Sequence, residues 1–169
     1  ATGRWWTGQA VEFARFCEDL GADCLMLTKL APDWIKSDED VIAYHRRVAE
    51  RTRIPLMYHQ EITGPRSIDL TLRIAEIEHV VALKQEQADY NQYVALGRSV
   101  AGRLAVVCGG GAPLAHWAHQ FGAAASLTGV GQWAPGPEKR YVDMLLAGDV
   151  AAAQPHLEAI LPYRLLAAR

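Results

Sequence analysis

The chain has 169 residues, 50% of them hydrophobic and 21% charged, which is ordinary composition for one globular domain with a core of its own. A net charge of -2 leaves no basic footprint for nucleic acid, and no apolar run approaches a membrane span. Cys17, Cys24 and Cys108 are odd in number and widely spaced, so reduced thiols in a cytoplasmic protein are expected rather than a disulfide or metal framework. The opening Ala1-Thr2-Gly3-Arg4-Trp5-Trp6 carries no initiator methionine and no cationic leader, and reads as the middle of something longer.

Gly8 to Leu20 reads as a helix, with Phe13, Phe16, Cys17 and Leu20 at helical spacing and Gly21 as its stop. Cys24 to Thr28 is a short apolar strand. A loop holds Pro32, Asp33 and Trp34. Ser37 with Asp40 three residues on is a variant capping box, opening a helix that places Val41, Tyr44 and Val48 on one stripe. Ile54 to His59 is the next strand, where Pro55 is tolerated only at the start or an edge. Ser67 can cap a helix with Leu70, Ile74 and Ile77 inward. Val80 to Gln85 is a buried strand that ends in Lys84 and Gln85. A helix from Ala88 to about Val100 and a strand from Leu104 to Cys108 follow. Gly109-Gly110-Gly111 then leads into a helix opened by Pro113. Ala123 to Thr128 is a weak strand, because alanine is a poor strand former. Pro135-Gly136-Pro137 breaks the chain. Helices from Glu138 to Ala147 and from Ala151 to about Leu166 close it, and Pro155 and Pro162 predict a break or kink in the last.

A helix, five strand-helix repeats and an extra helix predict parallel strands with right-handed crossovers. Either an open doubly wound sheet or part of a (β/α)8 barrel fits. The first strand lacks the phosphate-binding glycines of the former, and the triple glycine is as well explained by a tight turn as by an anion cradle.

In both architectures the chemistry gathers where strands end. Those ends supply Thr28 and Lys29, then Tyr58 to Glu61, Lys84 to Glu86, Cys108 to Gly111, and Ser126 with Thr128. Lysine is rare in buried strands, and Lys84 and Tyr58 end neighbouring ones. A desolvated amine is partly free base and can attack a carbonyl, while a phenol can shuttle the protons. Lys29 is the rival nucleophile. His59, Glu61 and Glu86 are the metal-binding alternative, with undiagnostic spacing. His116 and His119, one helical turn apart, are expected on a solvated face.

These stretches, in this order, resemble the dihydrodipicolinate synthase / N-acetylneuraminate lyase family. The residues that carry it are Gly21-Ala22-Asp23 before a strand, Tyr58-His59-Gln60-Glu61 with Thr63-Gly64, Ala82-Leu83-Lys84-Gln85, Cys108-Gly109, Gly122 to Ser126, and Leu146 to Ala153. The resemblance implies a (β/α)8 TIM barrel. The chain would supply its strands 4–8 over residues 1–149 and the start of the C-terminal helices over 150–169. It would begin after the third strand and the Gly-Thr-Thr loop, so the fragment alone is expected to be inactive.

The resemblance also implies the chemistry. Lys84 forms a Schiff base with a 2-oxo acid of pyruvate type and Tyr58 relays protons, in a lyase that makes or breaks a carbon–carbon bond or eliminates water. Gly109, Ala125, Thr28 and His59 are the candidate substrate-binding residues. No cofactor or metal is expected, and the full-length protein is expected to be a homo-oligomer, dimer or tetramer. Three features depart from the family. Leu30 to Trp34 do not match its Pro-Tyr-Tyr segment, Arg66 is out of register with its arginine, and His59 and Glu61 replace its usual residues after the tyrosine. They count against the dihydrodipicolinate reaction itself and leave the shared step, a lysine imine with a 2-oxo acid, intact. His59, the missing arginine and the missing first three strands point to the alternative, a non-catalytic member or fragment that acts as a binding or assembly module.

Overall fold

The computed structural model describes residues 6–28, 37–60, 67–87, 89–127 and 129–167. Strands and helices alternate as α1 (Thr7–Asp19), β1 (Leu25–Leu27), α2 (Asp38–Ala49), β2 (Leu56–His59), α3 (Ile68–Ala75), β3 (Val80–Gln85), α4 (Tyr90–Ser99), β4 (Ala105–Cys108), α5 (Ala112–Ala118), β5 (Ala125–Ser126), α6 (Pro135–Leu146) and α7 (Val150–Ala167). The strands form one sheet in chain order, and the pairs β1–β2, β2–β3 and β4–β5 are parallel. The chain divides into two compact units, Ala1–Lys84 with Arg98–Ala105, and Gln85–Gly97 with Val106–Arg169.

In the first unit, β1 and β2 pair Leu25 with Leu56 and Leu27 with Tyr58. Pro55 stands just before β2, where it needs no N–H, and its carbonyl accepts from the Leu25 amide at 2.9 Å. The capping box forms: the Ser37 hydroxyl accepts from the Asp40 amide at 3.3 Å, and the Ser37 amide donates to Asp40 Oδ2 at 2.9 Å. Caps of this kind contribute about 1 kcal/mol. The helix they start buries Val41, Ile42, Tyr44, His45, Val48 and Ala49. Ser67 caps α3 in the same way, accepting from the Leu70 amide at 3.1 Å.

The first helix departs from its pattern. The face it buries is Ala10 and Ala14, both 0% exposed, while Phe16 and Leu20 are exposed. Small residues let α1 lie close against α2, and close backbone approach wins over the larger apolar stripe.

In the second unit, Val107 pairs with Ala125 and Cys108 with Ser126. The last strand is only two residues long, shorter than the expected Ala123 to Thr128, as its alanines foretell; Thr128 lies outside the described residues. Tyr90, Tyr93, Trp117 and Phe121 form an aromatic cluster between α4 and the end of α5, with Tyr93 and Trp117 edge to face at 4.7 Å. Pro135 does not break the chain. It opens α6, because the first turn of a helix has no use for its missing N–H. The last helix runs through Pro155 and Pro162 without a break. Both prolines are exposed, and the buried side is made by Ala153, Leu157 and Ile160, so the lost backbone bonds are on the wet side.

One buried group couples the first unit to pH. His45 donates from Nδ1 to the Val41 carbonyl at 2.8 Å and packs edge-on against Tyr44 and Tyr58. Burial pulls its pKa down from 6.5 to about 4, the Val41 bond opposing. Above pH 6.5 both folded and unfolded imidazoles are neutral. Between pH 6.5 and 4 only the unfolded chain takes up the proton, so stability falls as pH falls. A His45→Gln variant should lose this response. In denaturant titrations its stability relative to the parent should rise by on the order of 3 kcal/mol across that window, and a gap independent of pH would show that His45 titrates normally.

Candidate active site

Which side chains meet at the strand ends is set by the pairing of β2 with β3. Leu56 pairs with Val80, but Met57 pairs with Ala82, so Val81 is an extra residue in β3. Beyond this bulge Tyr58 pairs with Leu83 and His59 with Lys84. The Gln60 amide then donates to the Lys84 carbonyl at 3.0 Å and carries the ladder one residue past β2.

Paired residues on neighbouring strands share a face, and successive residues alternate. His59 and Lys84 therefore lie on one face, and Lys84 Nζ is 3.2 Å from His59 Nε2. Tyr58 lies on the other face, buried against α2, with its ring edge-on to His45 at 5.1 Å. The ring of β2 within hydrogen-bond range of Lys84 Nζ is the His59 imidazole. Lys84 itself is half-buried at the end of β3, not sealed in the core. Thr28 follows the Leu27–Tyr58 pair, and continuing that register by one residue puts it in line with His59 and Lys84. Three of the predicted site residues thus form a row on one face of the first unit.

In the second unit the buried Gln85 side chain donates from Nε2 to the Tyr93 carbonyl at 3.1 Å, and the Gln85 backbone carbonyl accepts from the Gly109 amide at 2.8 Å.

In the second unit Gly109 follows β4, and Ala125, half-buried, shares a face with Val107. Cys108 and Ser126 take the opposite face. The Cys108 thiol is fully buried, and burial pushes its pKa up, which suits a core residue better than a nucleophile. Ser126 Oγ and His119 Nε2 share a hydrogen bond of 2.9 Å, and His116 stacks on Tyr141 with ring centroids 6.1 Å apart. The two histidines are engaged in different directions, and neither keeps to a solvated face. Gly111, with φ 83° and ψ -180°, adopts a conformation that favours glycine. Arg164 of α7 fills the space beside it and donates from Nη2 to the Gly110 carbonyl at 3.2 Å. The Arg164 side chain of α7 therefore lies against the triple-glycine turn.

Lys29 and Glu61 lie outside the described residues. Among the described residues no three His, Cys, Asp or Glu side chains gather into a metal site. No helix among them is long and apolar enough to cross a membrane.

A model of the dihydrodipicolinate synthetase family matches residues 1–166. The chain belongs to this family. Within the dihydrodipicolinate synthetase family its relatives carry more than one activity. It is 37% identical over 93 residues to a protein of Streptomyces avermitilis named Probable 5-dehydro-4-deoxyglucarate dehydratase 2, covering 54% of this chain and 27% of that one. It is 29% identical over 157 residues to the 4-hydroxy-tetrahydrodipicolinate synthase of Methanothrix thermoacetophila, covering 90% of this chain and 52% of the relative. The crystal structure of the Acinetobacter baumannii dihydrodipicolinate synthase complexed with pyruvate matches with a TM-score of 0.78 at 23% identity, over 90% of this chain and 53% of that one. At that identity the likeness shows the fold: the five strands and their helices are part of a (β/α)8 barrel. The chain spans about half the length of these last two relatives.

Replacing Gly111 tests the loop after β4. Gly111→Ala should cost about 1–3 kcal/mol through the strained backbone alone, read as a lower denaturant midpoint. A side chain there also has to displace Arg164, so an additional Arg164→Ala change should recover only part of the loss. Full stability in Gly111→Ala would show that this backbone conformation is not required.

Proposed function

We propose that the protein carrying this chain is a lyase in which Lys84 forms a Schiff base with a 2-oxo acid of pyruvate type. The enamine that follows then makes or breaks a carbon–carbon bond or eliminates water. One observation carries the reading: a half-buried lysine ends β3, where a barrel keeps its chemistry, within hydrogen-bond range of a side chain from the next strand. The pyruvate of the Acinetobacter baumannii complex supports the choice of acid, and the dehydratase and synthase relatives bracket the outcome.

The chemistry asked of the amine is addition to the C2 carbonyl, loss of water to give an iminium, and loss of a C3 proton to give the enamine. Thr28, in line with the reacting pair, holds the acid. The working form is a homo-oligomer in the cytoplasm that needs no cofactor. The rest of a barrel completes the site, because five strands cannot close one.

Borohydride reduction in the presence of pyruvate should trap a stable adduct on the peptide containing Lys84 of the full-length protein. Lys84→Met should abolish both the adduct and turnover. No adduct, or one mapped to Lys29, would overturn the assignment. A trapped adduct without any turnover of 2-oxo acids would instead mark a binding member of the family.

A further inference from the structure

Resting on the imine reading of Lys84, we propose that His59 is the acid–base group of imine formation, taking the proton from the lysine and returning it to the leaving oxygen. Its distance carries the proposal. Nε2 is 3.2 Å from Nζ, and both side chains project from strands whose backbones are paired at those residues. The bulge at Val81 brings them level, and the Gln60–Lys84 backbone bond locks the ladder beyond them. Bulges beside active sites commonly re-aim a side chain in this way.

The steps balance. As the ammonium, Lys84 donates from Nζ to Nε2 of a neutral imidazole, and passing that proton leaves a free amine. The amine nitrogen bonds to C2 of the 2-oxo acid as the carbonyl π bond opens onto oxygen. A proton moves from the new ammonium nitrogen to that oxygen and gives the carbinolamine. The imidazolium then protonates the hydroxyl, the carbon–oxygen bond breaks, water leaves, and the iminium forms with His59 neutral again. The carbinolamine oxygen is only two bonds from Nζ, so a ring nitrogen already in hydrogen-bond contact with Nζ can reach it without moving the backbone. Imidazole is also the side chain best suited to give and take a proton near neutrality. The Tyr58 ring packs edge-on against His45 on the other face.

Three variants of the full-length protein test the assignment through the rate of borohydride-trappable adduct with pyruvate. His59→Gln keeps a hydrogen-bonding side chain but cannot carry a proton, and should form the adduct at least about a hundredfold more slowly. His59→Ala should be equally slow and should recover in part when free imidazole is added. His59→Tyr should recover in part without it, because a phenol can also relay protons. An unchanged rate in His59→Gln would overturn the proposal. So would a slow His59→Gln combined with no imidazole rescue and no recovery in His59→Tyr, since that pattern reports packing alone. An unmodified parent protein would instead fail the Lys84 reading, which separates the two outcomes.

Discussion

The ladder between β2 and β3 is the constraint on which the rest of the site depends. A strand offers its side chains to two faces with a period of two, and parallel neighbours are locked level by their backbone bonds. Had β3 paired with β2 without its extra residue, Gln60 would stand level with Lys84 and His59 with Leu83. Val81 absorbs one residue and puts an imidazole beside the amine instead. No change of side chain alone could make that shift, because only an inserted residue moves the phase of everything after it. The exposure of Val81 fits this role, since a bulged residue leaves the regular packing of the sheet.

The same ladder separates two jobs along adjacent residues. Tyr58 and Leu83 face the helices and are buried, so they hold β2 and β3 against the core. His59 and Lys84 face the other way and are only half-buried. Chemistry and stability are divided between the faces of the same short strands, one residue apart. A substitution at Tyr58 therefore acts first on packing around His45, and one at His59 acts first on the environment of Lys84.

Much of this was readable in the residues, and the failures have physical causes. The alternation of five strands with helices followed from apolar runs and their punctuation, and the two serine caps from hydroxyl residues placed before amphipathic turns. Lys84 stood out because a lysine ending a buried strand needs a reason. The partner of Lys84 was not readable. Leu56-Met57-Tyr58-His59 is apolar on both faces, as strands covered on both sides are, so the sequence holds no alternation from which to assign phase. A bulge leaves no mark in composition either. On α1 the larger side chains suggested one face while two alanines marked the buried one, because the contact with α2 selects for closeness over area. Pro135 was misread because the same residue that interrupts a helix interior is favoured in a first turn.

The prolines of α7 shape the helix in a way that goes beyond their being tolerated. They are seven residues apart, close to two full turns, so both face the same side. Each removes a donor, from the carbonyls of Ala151 and Glu158, and both of those residues are exposed. The result is a hydrated seam along one edge of the helix, while the edge with Ala153, Leu157 and Ile160 keeps its bonds. Surface helices already tend to curve with their convex side toward water as the outer bonds lengthen. Two gaps on that side favour the same curvature, so sequence breaks that would disrupt a buried helix here let one wrap the core beneath it.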